Sequence, residues 1–299
     1  MLIYVDGKLV PRAEAKISVF DHGLLYGDGV FEGIRVYDGN IFRLREHIDR
    51  LYESAKTIWL DVPLSVDELE RATIETVAAN GMRDAYIRLV ITRGVGDLGI
   101  DPSTCKRSTV FIIVTTIALY PKKYYDEGIP LITASTRRIP MECLDPRIKS
   151  LNYLNNILAK LEAKRAGVPE AIMLNQWGRV AECTAENIFI LKNGDLLTPR
   201  LTEGALPGVT RGAVLGLARE RGLNCKETVL GMYDLYNANE CFLTGTGAEI
   251  VPVVQIDGRQ IGTGKPGAMT RELTERFREI RVREGSRVEY PAAAVQAGG

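Results

Sequence analysis

The chain has 299 residues, enough for two domains or one large one, and at 45% hydrophobic and 25% charged residues it can bury a sizeable core, which argues against disorder. Lys plus Arg number 38, as do Asp plus Glu, so the charge balance gives no reason to expect a nucleic-acid or membrane-surface partner. No apolar run reaches membrane-spanning length, and Met1-Leu2-Ile3-Tyr4-Val5-Asp6-Gly7 lacks a basic stretch leading into an apolar one, so a cytoplasmic location is expected.

The pattern opens with a hairpin, Ile3–Val5 and Lys8–Val10 around Asp6-Gly7, because Asp-Gly favours the positive φ angles of a tight turn. The same device recurs between Phe31–Tyr37 and Asn40–Arg43, around Asp38-Gly39. Leu44, Ile48, Leu51, Tyr52 and Ala55 then share one helical face. Ser65-Val66-Asp67-Glu68 reads as a capping box opening a helix that runs to Asn80 and stops at Gly81. Strands are expected over Ala85–Thr92 and Thr109–Leu119, the second buried, since it is nearly all β-branched or apolar.

Tyr120–Gly128 is polar and punctuated by Pro and Gly, which places an interdomain loop at 120–128. It divides a small α+β domain at 1–119 from a larger one at 129–285. The larger domain begins with a strand at Leu131–Ser135, continues with a helix over about 151–166, and includes a hairpin around Asp257-Gly258 and a last helix near Pro266–Arg281. Residues 286–299 are expected to form a disordered tail. Strands and helices without a regular βαβ rhythm predict an α+β fold, and no G-x-G-x-x-G opens a helix after a first strand.

Five scattered cysteines (Cys105, Cys143, Cys183, Cys225, Cys241) fit reduced thiols better than a disulfide framework. With two histidines, His22 and His47, neither a His-based metal site nor a Ser-His-Asp triad is expected. The chemistry points elsewhere. Lys149 sits just ahead of the predicted helix, with Tyr153 one turn later. Glu182 and Glu186 lie in a strand-like run, Arg179–Phe189. A Gly/Pro loop, Gly204–Gly208, enters another helix at Val209-Thr210-Arg211. An amine, a phenol, a carboxylate and an anion cradle are the groups needed to hold pyridoxal phosphate; the lysine alone would read as a surface residue.

Six short motifs stand in order: Phe31-Glu32-Gly33-Ile34-Arg35, Glu46-His47-Ile48-Asp49-Arg50-Leu51, Tyr86-Ile87-Arg88, Ala185-Glu186-Asn187, Leu206-Pro207-Gly208-Val209-Thr210-Arg211 and Thr244-Gly245-Thr246-Gly247-Ala248-Glu249. Each is weak alone. Together they resemble the two-domain fold-type IV pyridoxal-phosphate enzymes (D-amino acid aminotransferase-like), and within them the branched-chain amino acid aminotransferases, from Ile3 to about Arg281.

The resemblance implies transamination between Leu, Ile or Val and 2-oxoglutarate, within branched-chain amino-acid biosynthesis, by a homodimer or higher homo-oligomer. It makes Lys149 the Schiff-base lysine, with Tyr153 on the cofactor's phenolic oxygen. Glu182 faces the pyridine nitrogen by its place in the motif; Glu186 remains the rival, because residues four apart on a strand share a face. Arg50, the amides of Val209 and Thr210 and the hydroxyl of Thr246 hold the phosphate. The amides of Thr246 and Gly247 bind the substrate carboxylate, while Phe31, Gly33 and Tyr86 line a side-chain pocket. Arg88 meets a distal carboxylate, and Tyr26 and Ile100 reach in from a second subunit. The chain departs from members whose interdomain loop carries a Trp; Tyr124 or Tyr125 is the candidate substitute. The same scaffold also hosts D-amino acid aminotransferases, (R)-amine transaminases and aminodeoxychorismate lyases. A non-catalytic pyridoxal-phosphate-binding protein is the reading from another class.

Overall fold

Three Asp-Gly pairs, at 6–7, 38–39 and 257–258, have positive φ at both residues, the backbone that turns a strand back on itself with matching twist. Around such turns a computed structural model, which describes residues 1–290, builds the following elements in chain order. They are β1 (Leu2–Val5), β2 (Lys8–Pro11), α1 (His22–Tyr26), β3 (Gly29–Tyr37), β4 (Asn40–Phe42), α2 (Leu44–Thr57), α3 (Val66–Asn80), β5 (Ala85–Thr92) and β6 (Thr109–Thr115). Then come α4 (Lys122–Glu127), β7 (Ile129–Thr133), α5 (Leu154–Arg165), β8 (Glu170–Leu174), β9 (Val180–Cys183), β10 (Asn187–Lys192) and β11 (Asp195–Pro199). Last are α6 (Val209–Glu220), β12 (Asn224–Thr228), α7 (Met232–Tyr236), β13 (Glu240–Gly245), β14 (Glu249–Ile256), β15 (Arg259–Gln260), α8 (Ala268–Ile280) and β16 (Gly285–Arg287).

The described residues divide into two compact units, residues 1–117 with 148–152 and 280–290, and residues 118–147 with 153–279. The first is a seven-stranded sheet in the order β16-β4-β3-β5-β6-β1-β2. Val30, Ile34 and Val36 of β3, Ile87, Leu89 and Ile91 of β5, and Val110, Ile112 and Val114 of β6 form one apolar face, closed by Leu44, Ile48, Leu51 and Ala55 of α2 and Leu69 and Val77 of α3. The helix α3 opens with the expected capping box, Ser65 and Glu68 bonding each other's backbone N–H, and stops at Gly81 in the left-handed conformation. β6 alternates buried and half-buried residues rather than being buried throughout, and it ends at Thr115, short of the expected Leu119.

The second unit is a nine-stranded mixed sheet in the order β12-β11-β10-β13-β14-β7-β8-β9, with β15 on β14. Its centre is a cross-strand stack, Phe189 on Phe242, with rings 5.1 Å apart and 6° from parallel. Beneath α5 a separate patch of small residues, Ala134, Ala159, Ala163 and Ala171 with Met173, lets helix and sheet approach closely.

Five further expectations give way. The helix expected from 151 begins at Leu154, because the segment before it pairs with β3: Ser150 bridges Val30, Phe31 N–H donates to Lys149 O at 3.0 Å, and Leu151 N–H donates to Gly29 O at 2.9 Å. That pairing assigns 148–152 to the first unit instead of the larger domain. The run Arg179–Phe189 is two strands, β9 and β10, parted by a turn in which Cys183 N–H donates to Glu186 O at 2.8 Å. Residues 120–128 carry α4 and belong to the second unit, where Tyr120, Tyr124 and Tyr125 pack on its core. The expected tail starts too early at 286: β16 pairs with β4, Val288 is buried, and the Tyr290 hydroxyl donates to Met82 O at 2.8 Å. The rest of that tail, 291–299, lies outside the described residues.

Candidate active site

In the first unit the alternation of β3 sorts its residues. Even-numbered Val30, Ile34 and Val36 enter the core, and Glu32 goes with them. A fully buried carboxyl needs partners, and α2 supplies them one turn apart. Arg50 donates to Glu32 through Nε and Nη2, both at 2.7 Å, and His47 Nδ1 lies 2.7 Å from Glu32 Oε2. Burial pushes the Glu32 carboxyl up, but the Arg50 charge, the His47 contact and their hydrogen bonds outweigh it and hold Glu32 well below the usual carboxylate range. Burial lowers His47, which is therefore a neutral imidazole giving its Nδ1 proton to Glu32. Arg50, expected at a phosphate, is thus oriented by a buried anion on β3.

The opposite face of β3 carries Phe31, Gly33 and Arg35, with Arg88 of β5 directly across from Gly33. A Cβ on Gly33 would stand 2.0 Å from the Tyr86 hydroxyl oxygen, so only glycine lets Tyr86 lie over the strand. Arg88 stacks on Phe31, 4.5 Å from the ring centre, and donates to the Tyr86 hydroxyl at 3.2 Å. Lys149 Nζ lies 4.7 Å from the same Phe31 ring, and its backbone N–H donates to Ser54 Oγ of α2 at 3.2 Å. Five expected residues, Phe31, Gly33, Tyr86, Arg88 and Lys149, therefore meet on one face: an apolar wall with an amine and a guanidinium against it. Tyr26 and Ile100 are not there. Both are exposed, Ile100 at 85%, and the Tyr26 hydroxyl donates to the carbonyl of Leu98, tying α1 to the loop that carries Ile100.

In the second unit Glu182 of β9 is buried among donors. Arg138 Nη2 lies 3.0 Å from its Oε1, while Leu206 N–H at 2.9 Å and Asn187 Nδ2 at 3.2 Å reach its Oε2. Asn187 Nδ2 also donates to Leu206 O at 2.9 Å, and a Cβ on Gly208 would stand 2.2 Å from Asn187 Oδ1; the glycine lets the loop close down over β10. The loop then enters α6. Its N-cap is Gly208, with no side-chain cap, so the first amides of α6, Val209 among them, have no side-chain oxygen from that position, and Thr210 beside them is buried. Thr246 and Gly247 form the turn between β13 and β14, half-buried. Tyr153 is the residue before α5, so it and Lys149 do not share a helix as expected. Glu186 does not share a strand with Glu182; it lies in the turn after it and points to a different set of partners.

Within the second unit, a carboxylate held in place and an uncapped twelve-residue helix suit the ring nitrogen and the phosphate of pyridoxal phosphate; within the first, an amine lies on an aromatic wall. Sequence reasoning missed the supports. Glu32 and His47 stand inside quoted motifs, and their buried pairing was the available signal. Arg138 lies in a segment with no local pattern.

A family model described as amino-transferase class IV matches residues 29–256. A Methanocaldococcus jannaschii protein, provisionally named a branched-chain-amino-acid aminotransferase, is 53% identical over 288 residues, covering 96% of this chain and 99% of its own. The crystal structure of the Escherichia coli branched-chain amino acid aminotransferase superposes with a TM-score of 0.92 at 37% identity, covering 95% of this chain and 96% of that one. The Thermobaculum terrenum branched-chain amino acid aminotransferase in its PLP-bound holo-form superposes at 0.86 with 36% identity, covering 94% of each chain.

Proposed function

Because the chain belongs to the class IV aminotransferases, we propose that it carries the amino group between branched-chain L-amino acids and 2-oxoglutarate, with pyridoxal phosphate as its cofactor. The observation that carries the substrate class is the face of β3 and β5. Phe31 and the Tyr86 ring offer a leucine-like side chain an apolar wall, and Arg88 on the same wall offers a glutamate-like one a cation. One pocket has to serve both donors in turn, and this face has both chemistries.

Pyridoxal phosphate, when bound, supplies the electron sink for the substrate α-carbon. The chain supplies the rest. Lys149 Nζ would anchor the cofactor and, once the substrate amine has taken its place, would serve as the base that accepts the substrate's α-proton. Glu182, immobilised by Arg138, Asn187 and Leu206, keeps the pyridine nitrogen protonated. Tyr153 donates to the phenolic oxygen. Arg50, the amides of Val209 and Thr210 and the Thr246 hydroxyl hold the phosphate, and the amides of Thr246 and Gly247 orient the substrate carboxylate.

Tyr26 and Ile100 complete the pocket of a second copy. The exposed apolar set Phe20, Leu24, Tyr26, Leu98 and Ile100 supports a homodimer or higher oligomer. Among the described residues no helix is long and apolar enough to cross a membrane, and a cytoplasmic enzyme is proposed.

The test is initial-rate kinetics with L-leucine and 2-oxoglutarate, with D-alanine and (R)-1-phenylethylamine alongside. Parallel ping-pong lines with leucine are expected. No glutamate formed from leucine, or faster turnover of either alternative donor, overturns the reading.

A further inference from the structure

Glu170, which opens β8, and Glu186, in the turn between β9 and β10, are buried glutamates of the second unit that no step above employs. Hydrogen-bond donors are divided unequally between them. Glu170 Oε2 accepts from Lys160 Nζ at 2.6 Å, and Oε1 accepts from the N–H groups of Ala171 at 2.7 Å and Thr184 at 3.1 Å. Glu186 Oε1 accepts from the Tyr120 hydroxyl at 3.1 Å, while no donor among the described residues faces its Oε2, a fully buried atom.

The ionisable groups around Glu186 are Glu170 on β8, Lys160 on α5, Tyr120 ahead of α4 and Cys183 on β9, with Glu182 and Cys241 beyond Cys183. Lys160, the cation among these groups, is already bound to Glu170. An ionised Glu186 would be a buried anion beside a second anion, with a single neutral donor. A proton on Glu186 removes the conflict, because the acid can then donate a hydrogen bond to Glu170. Burial, the Glu170 charge and that hydrogen bond push the Glu186 carboxyl well above the usual range, against the smaller opposing pull of Lys160 and Tyr120.

The pair also reaches the carboxylate assigned to the cofactor. Thr184, whose N–H is on Glu170, accepts from Asn156 Nδ2 at 2.7 Å; Asn156 Oδ1 accepts from Arg138 Nη1 at 2.8 Å; and Arg138 Nη2 holds Glu182. We propose that Glu186 is a neutral-acid positioning residue: its proton, shared with Glu170 and closed off by Tyr120 and Lys160, fixes the turn at 183–186 that sets Glu182 in place. The link to Glu182 rests on the function proposed above; the protonated pair does not.

The test uses the full chain with pyridoxal phosphate added, as parent, Glu186→Gln and Glu186→Ala. Glu186 has its folded pKa raised above its ordinary 4.5. Its contribution to stability is therefore complete below about that value and is lost as pH rises towards the folded pKa. Glutamine imitates the neutral acid and cannot ionise, so the melting temperature of Glu186→Gln should gain on the parent by roughly 2 °C per pH unit as pH rises above about 5. The infrared band of a buried carboxylic acid should be present in the parent and absent in Glu186→Gln. A pH-independent gap in melting temperature, or no such band, overturns the protonated pair.

For the positioning role, Glu186→Ala should lower kcat with leucine roughly tenfold at near-constant KM, as loss of an orienting partner does elsewhere. It should also shift the pH titration of the bound cofactor's visible absorption, and Glu186→Gln should restore both. An alanine variant with parental kcat and titration overturns the role. If the parent fails to transaminate leucine at all, the proposed function falls while the melting and infrared results still decide the acid pair.

Discussion

Glu32 in the first unit and Glu186 in the second are both buried glutamates beside strands that carry the candidate site, yet they hold opposite charge states. Glu32 meets two guanidinium nitrogens and an imidazole, each at 2.7 Å, and stays an anion. Glu186 meets one hydroxyl and another acid, and keeps its proton. Burial is common to both, so it does not decide the charge; the number and charge of the donors do. The anion in the first unit aims an arginine. The neutral acid in the second supports a turn without adding negative charge near Glu182.

The strongest way to break this contrast is Glu32→Gln, which leaves the Arg50 charge buried without its anion. Urea unfolding should show a loss of about 3–5 kcal/mol. The pH dependence should run opposite to that of Glu186. The folded pKa of Glu32 lies below its ordinary 4.5, so its contribution is present above that value and is lost as pH falls through the folded one. The stability gap between parent and Glu32→Gln should therefore close on acidification, and a gap constant down to the acid limit would mean the carboxylate is not what Arg50 requires.

Next is Arg138→Ala, which removes the cation from Glu182 but leaves the Leu206 and Asn187 donors. A loss of about 2–3 kcal/mol is expected in the same assay, with weaker pyridoxal phosphate binding by fluorescence titration. Gly33→Ala should displace the Tyr86 ring, whose far end can swing, and raise KM for leucine roughly tenfold while the melting temperature barely moves. Smallest is Ser65→Ala, at the exposed start of α3. It should cost about 1 kcal/mol through the lost α3 cap and leave kinetics unchanged, a baseline for purely structural loss.

Features set by local chemistry were legible in the sequence. The Asp-Gly turns and the Ser65–Glu68 box need only neighbouring residues, and they stand where the pattern puts them. The misses are all non-local. Nothing around Lys149 announces that its backbone bonds to β3, more than a hundred residues earlier, so the helical pattern reads on towards it. Arg179–Phe189 reads as one strand because Thr184-Ala185-Glu186 contains no Gly or Pro to break it, and the turn is held instead by Glu170 and by its own closing bond. Residues 286–290 look like a tail until β4 offers an edge to the strand that reaches Arg287. Arg138 is invisible for the same reason, since its partners Asn156, Glu182 and Gly204 are scattered along the chain.

Side chains alternate across a strand, and the bridge between Ser150 and Val30 sets which way each neighbour points. One residue inserted between Lys149 and Ser150, with that bridge kept, would turn the Lys149 amine to the other face. Evolution can exchange Ile148 or Leu151 for similar residues at modest cost, but it has to conserve the spacing of this short span, and a frame of that kind is fixed by counting residues as much as by choosing them.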